Sequence, residues 1–247
     1  MSPHPPAPSR VHSVRVEGPP TGAPLVLSNA LGTTSEVWRP QLDTLARRLR
    51  VVRYELQPRR SVAEHADDVV AIAEALGLER FSLCGLSLGA MVGMWLAAEQ
   101  PSRIDRLVLA CTSARFGEPE EWSERAALVR GEGMAEVALA ALDKWFTPSF
   151  EDREPFLRMQ LSVAPGDYAL GLEAIGSFDF RDRLAEIGAA TLVIAGADDT
   201  ATTPADAAFI ADRIPEARLV VLAGAAHLAN VEQPEAFTRA VLEHLSG

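Results

Sequence analysis

Ser87 lies in the stretch CGLSLGA, residues Cys84–Ala90, which contains the pattern Gly-x-Ser-x-Gly. A serine on a sharp turn between a strand and a helix can act as a nucleophile, and flanking glycines suit such a turn because larger side chains would collide. The pattern alone is weak evidence, since it occurs by chance on the order of once in ten chains of this length. The alternative is a glycine-rich connection whose serine only caps a helix.

A nucleophilic serine needs a base to take its proton, and histidine is the usual one. Of the five histidines, His227 lies in GAAHLANVEQP, between the last predicted strand and the last predicted helix. That is the carboxyl edge of a parallel sheet, where the sites of α/β proteins form. The others are His4 and His12 near the N-terminus, His65 at the start of a predicted helix, and His244 in the last helix. We therefore predict His227 as the base.

The acid that orients this histidine is expected between the two residues, in the chain order Ser, Asp, His. The stretch TLVIAGADDTATTP offers two adjacent candidates, Asp198 and Asp199, just after a predicted strand. Neighbouring loop side chains point in different directions, so only one of them can hold the imidazole. An oxyanion hole would complete the chemistry. Its expected donors are the backbone N–H groups of Leu88 and of Leu31, which lies in the loop SNALGTTSEVW.

Apolar, β-branched runs alternate with helical patterns along the chain, which predicts an α/β fold with a mostly parallel central sheet and helices on both faces. The predicted strands are Val11–Val16, Leu25–Ser28, Val51–Tyr54, Phe81–Cys84, Leu107–Ala110, Thr191–Ala195 and Leu219–Leu222. The predicted helices between them include Val62–Leu76, Ser87–Glu99, Pro204–Arg213 and Pro234–Leu245. Ser87 therefore falls at a strand-to-helix turn, as a nucleophile elbow requires.

One region interrupts the alternation. Between residues 112 and 186 only helical patterns occur, at Ser123–Arg130, Met134–Phe146, Pro155–Ser162 and Tyr168–Ile175. We interpret residues 112–186 as a helical cap inserted into a core made of residues 1–111 and 187–247.

Composition narrows the class of protein. The chain has 247 residues, a net charge of −11 and a sequence pI near 5.0, which argues against nucleic acid and anionic membranes as partners. No clustered ligands or phosphate loop point to a metal or another cofactor. The proline-rich start, MSPHPPAPSR, reads as a flexible lead-in without a signal peptide, and two cysteines give no disulfide framework. We expect a cytoplasmic protein with a small-molecule substrate; the oligomeric state stays open.

These residues together resemble the α/β-hydrolase superfamily over nearly the full length of the chain. More narrowly, the chain resembles the 3-oxoadipate enol-lactonases of aromatic catabolism, the β-ketoadipate pathway. The stretches that carry this likeness are LSNALGTTSEVWRPQL, LCGLSLGAMVGMWLAAEQPSRIDRLVLACTSA, KWFTPSF and AAHLANVEQPEAF. The pattern Gly-x-x-Asp-x-x-Thr-Pro, which recurs in such enzymes, fits Gly196 and Asp199 and favours Asp199 over Asp198.

The chain departs from this family at two places. After the strand Val51–Tyr54 it continues YELQPRRSVAEHADD, a shorter connection without the family's glycine-rich turn. The cap ends in EAIGSFDFRDRL, with Gly176 and Ser177 where the lactonases tend to carry an Arg-Asp pair. Both places border the expected active site.

The resemblance implies a serine hydrolase in which Ser87, His227 and Asp199 open a lactone through an acyl-enzyme. The lactone would carry a carboxylate, which in a chain of charge −11 predicts a cation supplied by the cap. The candidates are Arg130, Lys144 and Arg158, although residues of this kind are more often solvated surface charges, and Trp145 is a candidate to line the pocket. Two alternatives stay open: a carboxylesterase, thioesterase or cofactor-free perhydrolase with the same triad, and a non-catalytic binding protein that kept the fold.

Overall fold

The computed structural model describes residues 13–246, so the predicted lead-in with His4, and the start of the predicted strand Val11–Val16 with His12, lie outside the described residues. Seven strands form one sheet in the order β1-β3-β2-β4-β5-β6-β7. Only the β1–β3 pair is antiparallel, and every other neighbouring pair is parallel. The strands are β1 Val14–Glu17, β2 Ala23–Ser28, β3 Leu49–Tyr54, β4 Phe81–Leu86, β5 Ile104–Ala110, β6 Ala190–Gly196 and β7 Arg218–Leu222.

Helices cover both faces of this sheet because its central strands are apolar on both sides. Val26, Leu83 and Leu107 belong to one buried cluster, together with α2, α3 and α8. Their chain neighbours Leu25 and Val108 belong to a second cluster, together with α1 and α10. Side chains alternate between faces along a strand, so nearly continuous apolar runs such as β4 bury both faces. The predicted fold class is confirmed.

The helices join the strands by crossovers and place the loops of the site at the carboxyl edge of the sheet. They are α1 Arg39–Leu45, α2 Val62–Ala75, α3 Leu88–Glu99, α4 Pro119–Glu132, α5 Ala135–Trp145, α6 Glu154–Leu161, α7 Pro165–Gly176, α8 Pro204–Ala211, α9 Ala229–Glu232 and α10 Pro234–Ser246. Two short 3-10 helices, Ser35–Trp38 and Arg181–Glu186, complete the described chain.

Four helices, α4 to α7, lie between β5 and β6. The chain enters and leaves this segment at adjacent points, where Arg115 and Asp179 form an isolated antiparallel bridge and the N–H of Phe180 donates to the carbonyl of Ala114 at 2.8 Å. The division into a core and a cap at residues 112–186 remains an interpretation of this arrangement.

No helix within residues 13–246 is both long enough and apolar enough to cross a membrane.

Candidate active site

Ser87 sits between β4 and α3 in a backbone conformation that non-glycine residues rarely adopt, with φ 55° and ψ −114°. The turn is tight enough to exclude side chains on both sides. A Cβ atom on Gly85 would lie 2.2 Å from the carbonyl oxygen of Gly89, and one on Gly89 would lie 2.2 Å from that of Ser28. The glycines of the motif are therefore required by contact with neighbouring backbone, and the turn presents the Ser87 hydroxyl at the edge of the sheet.

The structure brings Ser87, His227 and Asp199 together. Nε2 of His227 lies 3.0 Å from Oγ of Ser87, and Nδ1 lies 2.8 Å from Oδ2 of Asp199. An ionised carboxylate can only accept a hydrogen bond, so the proton belongs on Nδ1. Nε2 is then left as the acceptor for the serine hydroxyl. All three side chains are buried.

Asp199, and not Asp198, is the acid that reaches the histidine, whereas Asp198 is exposed. Oδ1 of Asp199 accepts from the N–H groups of Ala201 at 2.8 Å and Thr202 at 3.0 Å. Burial pushes the pKa of Asp199 upward, but the attraction of His227 and these hydrogen bonds outweigh it and hold the pKa below its usual value. The carboxylate is therefore ionised at neutral pH.

The hydroxyl of Thr202 is a site group that the sequence reasoning missed. It donates to Oδ2 of Asp199 at 2.8 Å and lies 3.2 Å from Nδ1 of His227. A threonine in a polar loop carries no distinctive signal, so the sequence assigned no role to Thr202. Its hydrogen bond fixes the carboxylate oxygen that holds the imidazole.

Leu31 and Leu88, the predicted oxyanion-hole donors, both lie near Ser87. Leu88 is the first residue of α3, and Leu31 follows β2 and lines the same pocket as Ser87. Within the described part of the chain, neither backbone N–H donates to a protein acceptor. The two loops are tied together, since the N–H of Gly89 donates to the carbonyl of Asn29 at 3.0 Å.

A pocket lies above Ser87, and we call it the Ser87 pocket. The space between its walls, counted together with the open mouth, is about 500 Å³. The helices α4, α5 and α7 supply most of its wall. Its apolar lining includes Phe116, Trp122, Trp145, Tyr168, Leu172 and Ile175. Trp145 therefore lies where the sequence placed it.

Of the three predicted cations, the structure brings only Lys144 to this pocket. Arg130 projects elsewhere from α4 and pairs with Glu173 at 2.6 Å. Arg158 is exposed on α6, where it pairs with Glu154 one turn away. Both arginines already have a carboxylate partner, so neither lies free to meet a substrate.

Arg125 lines the Ser87 pocket and was not predicted. Its guanidinium carbon lies 5.9 Å from the centre of the Trp122 ring, and it forms no ion pair with any residue between 13 and 246. Residues three apart share one face of a helix, so Arg125 lies on the same face as Trp122, but only the structure shows that this face turns to the pocket.

Trp122 also accounts for the departure at Gly176. A Cβ atom at position 176 would lie 2.6 Å from Cβ of Trp122, so α4 and α7 pack too closely there for a larger side chain. The tryptophan occupies this space. The chain thus presents a cation from α4, at Arg125, and not from the end of α7.

Replacing Thr202 by Val should lower the free energy of unfolding by about 2 kcal/mol at pH 7, because a charged acceptor loses its hydrogen bond. The pKa of Asp199 is lower in the folded chain than in the unfolded chain, so its stabilisation is present above the unfolded value and is lost as pH falls through the folded value. Urea denaturation should show the deficit shrinking below pH 3.8, the pKa of an unperturbed aspartic acid.

Thr238→Val is the matched control, since the buried Thr238 hydroxyl donates only to the carbonyl of Pro234. Its effect should not depend on pH. Equal pH dependence of the two variants would contradict the role assigned to Thr202.

Comparison with known proteins identifies the family. The model of the alpha/beta hydrolase family matches residues 25–240. A 3-oxoadipate enol-lactonase of Acinetobacter baylyi is 37% identical, over 88% of this chain and 86% of its own. A putative carbamate hydrolase of Agrobacterium fabrum is 30% identical, over 90% of this chain and 92% of its own. The crystal structure of the enol-lactonase of Burkholderia xenovorans LB400 superposes with a TM-score of 0.92 at 35% identity, covering 96% of both chains. The prediction of a hydrolytic enzyme is confirmed, and the chain belongs to the alpha/beta hydrolase family.

Proposed function

We propose that this protein is a serine hydrolase that opens the ring of 3-oxoadipate enol-lactone. The observation that carries the proposal is the hydrogen-bonded series from Ser87 through His227 to Asp199, which opens into a pocket lined by apolar side chains and two cations. The likeness to two enol-lactonases supports the choice of substrate.

Proton transfer starts the reaction. Nε2 of His227 takes the proton of the Ser87 hydroxyl as Oγ attacks the lactone carbonyl carbon. The imidazolium that forms is stabilised by the Asp199 carboxylate, which stays ionised throughout. The 3.0 Å contact between Nε2 and Oγ places the base within reach of the proton that it takes in this step.

The negative charge that develops on the carbonyl oxygen would be held by the N–H groups of Leu31 and Leu88. Leu88 is the first residue of α3, so the partial positive charge at that helix end adds to its own hydrogen bond. A donor of this kind is worth about 3–4 kcal/mol in the transition state. Backbone donors need no particular side chain, which is why residue types alone gave little information about them.

Ring opening follows when the carbon–oxygen bond of the lactone breaks and the enol oxygen leaves with the proton from His227. The enol then becomes the ketone. Water, deprotonated by His227, attacks the acyl group on Ser87, and the same steps in reverse release the carboxylic acid and restore the serine.

The carboxylate of the lactone would bind to Arg125 and Lys144. Both cations line the pocket, and the inserted segment supplies them both. A local positive charge is needed because the whole chain carries a net charge of −11, which repels an anion at long range. Trp122 beside Arg125 keeps the guanidinium over its ring and towards the pocket.

A carboxylesterase for small neutral esters is the second candidate function. The pocket wall is mainly apolar, and the carbonyl chemistry at Ser87 does not itself require a carboxylate on the substrate. The likeness to a putative carbamate hydrolase is compatible with other carbonyl substrates as well.

We also propose the cytoplasm as the place of action. Cys84 and Cys111 are both free and buried, as suits a reducing compartment. Burial raises the pKa of the Cys111 thiol to about 12, so it is not a rival nucleophile at neutral pH.

Replacing Ser87 by Ala should lower kcat for 3-oxoadipate enol-lactone and for p-nitrophenyl acetate by at least about 10³-fold, because the attacking oxygen is lost. Ser82→Ala, in the same strand and also buried, should keep near-normal activity. Unchanged activity in Ser87→Ala would contradict the mechanism. Ester turnover without lactone turnover by the unmodified protein would favour the carboxylesterase, and no turnover by the folded protein would favour a binding protein.

Replacing Arg125 by Gln should lower kcat/KM for the lactone about tenfold, mainly through KM, since a charge-assisted hydrogen bond to the carboxylate is lost. Turnover of the neutral p-nitrophenyl acetate should change little. Arg158→Gln, which removes a surface arginine outside the pocket, serves as the control. An equal loss on both substrates in Arg125→Gln would contradict carboxylate binding by this residue.

A further inference from the structure

Leu31, whose N–H is one of the two expected oxyanion donors, lies in a tight turn directly after β2. The N–H of Thr33 donates to the carbonyl of Ala30 at 3.2 Å, and the Thr33 hydroxyl donates to the same oxygen at 2.8 Å. Gly32 follows Leu31 in this turn with φ 81°, a conformation that glycine adopts without steric cost. The N–H of Leu31 takes no part in these bonds. Its direction is therefore set by the position of the turn.

The residue that precedes the turn is bound to the sheet. The fully buried Asn29 side chain donates to the carbonyl of Tyr54 at 3.1 Å and accepts from the Trp38 indole at 2.9 Å. Leu31 lies two residues further on, between the Ser87 pocket and a second pocket lined by His65. Since Leu31 has open space on both of these sides, packing from the pockets does not fix its position.

Helix α7 makes the contacts that cover the turn. A Cβ atom on Gly32 would lie 2.9 Å from Cε2 of Tyr168, so the tyrosine ring lies directly against the backbone of the turn. A Cβ atom on Gly171 would lie 2.3 Å from Cδ1 of Leu31 and 3.3 Å from its Cγ, so the helix also lies against the leucine side chain. Tyr168 and Gly171 are three residues apart and therefore share one face of α7.

The tyrosine ring is itself held by packing. Tyr168 and Gln160 of α6 are both buried, and Nε2 of Gln160 lies 3.4 Å from the Tyr168 hydroxyl. The same Nε2 would lie 3.3 Å from a Cβ atom on Gly32. Two side chains from different helices thus meet over one glycine, and close-packed groups of this kind resist small displacements.

We propose that Tyr168 and Gly171 are positioning residues of the oxyanion hole, which fix the N–H of Leu31 through the contact of α7 with its turn. This inference rests on the proposed acyl transfer at Ser87. An oxyanion donor must lie about 2.7–3.1 Å from the oxygen that becomes charged. A small displacement of the turn would therefore weaken binding of the transition state more than binding of the substrate.

Gly171→Ala tests the proposal, because its methyl group would overlap Leu31 while Gly171 is not among the described residues that line the Ser87 pocket. We expect kcat for p-nitrophenyl acetate to fall about tenfold with KM changed less than about twofold. Gly166→Ala is the matched control, since a Cβ atom at this exposed position of α7 meets no described atom within 4 Å, and its kcat should stay unchanged. Alanine favours a helix more than glycine does, so both variants should remain folded.

A pair of inhibitors separates the oxyanion hole from the pocket. The carbonyl carbon of 1,1,1-trifluorohexan-2-one bonds to Oγ of Ser87, the hydroxyl proton passes to Nε2 of His227, and the carbonyl oxygen becomes an alkoxide that needs the oxyanion donors. The corresponding alcohol, 1,1,1-trifluorohexan-2-ol, has no carbonyl and cannot form this adduct. Gly171→Ala should weaken inhibition by the ketone about tenfold and inhibition by the alcohol less than about twofold. Equal weakening of both inhibitors would overturn the proposal.

The tyrosine is tested by the same ratio of ketone to alcohol affinity, because Tyr168 also lines the Ser87 pocket. Tyr168→Leu removes the ring and should lower this ratio about tenfold, as expected for a weakened oxyanion donor. Tyr168→Phe keeps the ring over Gly32 and should retain most of the ratio. An equal ratio in Tyr168→Leu and Tyr168→Phe would overturn the role of the ring.

Leu31→Ala shows whether Gly171→Ala acts through Leu31, since it removes the side-chain atoms that the new methyl group would meet. In the double variant, kcat should be no lower than in Leu31→Ala alone. A further loss as large as that caused by Gly171→Ala in the unmodified protein would overturn the proposal. Unchanged ketone inhibition in Gly171→Ala would overturn this proposal alone, whereas failure of the ketone to inhibit the unmodified protein would overturn the proposed function as well.

Discussion

The backbone at Ser87 is held in a strained conformation, and the rest of the site depends on that turn. A non-glycine residue in a sparsely populated region costs about 1–3 kcal/mol and persists only when its surroundings fix it. Here the N–H of Ser87 donates to the carbonyl of Ala110 at 2.9 Å, and the carbonyl of Ser87 accepts from the Thr112 hydroxyl at 3.0 Å. The end of β5 and the residues just after it thereby hold the turn from one side. The N–H of Gly89 binds Asn29 on the other side, so the loop that carries Leu31 is positioned by the same elbow.

The loop that carries His227 is held by the end of α5 and the residues that follow it. The N–H of Leu228 donates to the carbonyl of Trp145 at 2.9 Å, and the Glu232 carboxylate accepts from the N–H groups of both Ala226 and Thr147, at 2.6 and 2.9 Å. The residues on either side of His227 are thus bonded, directly or through Glu232, to the end of α5. Lys144 and Trp145, at the end of α5, also line the Ser87 pocket. The same helix therefore forms part of the pocket wall and holds the loop that carries His227.

Sequence reasoning could predict which three side chains the structure brings together, because the proposed chemistry restricts residue type, chain order and place. A nucleophile, an acid and a base must each follow a different strand of a parallel sheet, and few residues meet that condition. The cations could not be assigned in the same way. Arg125 and Arg130 lie on one helix five residues apart, which turns their side chains about 140° from each other, and only packing decides which faces the pocket. Trp122 lies on the same helix face as Arg125, and in the structure both line the pocket.

A pocket that forms where the chain is shorter than the family it resembles is even harder to predict from the sequence. The shortened connection after β3 was visible as a departure, but whether neighbouring elements would close over it depends on how α7 and the Leu31 loop pack. The structure shows that they leave a pocket, with His65 at its wall. The sequence likewise could not show that Trp122 fills the space beside Gly176, because that depends on how closely α4 and α7 pack.

The proposed reaction requires Ser87 to be a nucleophile that His227 activates. The most direct test is to treat the protein with a fluorophosphonate, a reagent that bonds covalently to activated serines, and to locate the added mass by peptide mass spectrometry. We expect one adduct per chain, on the peptide that contains Ser87, and its loss in a His227→Gln variant that remains folded. An adduct on another residue, or labelling of Ser87 at an unchanged rate without His227, would contradict it.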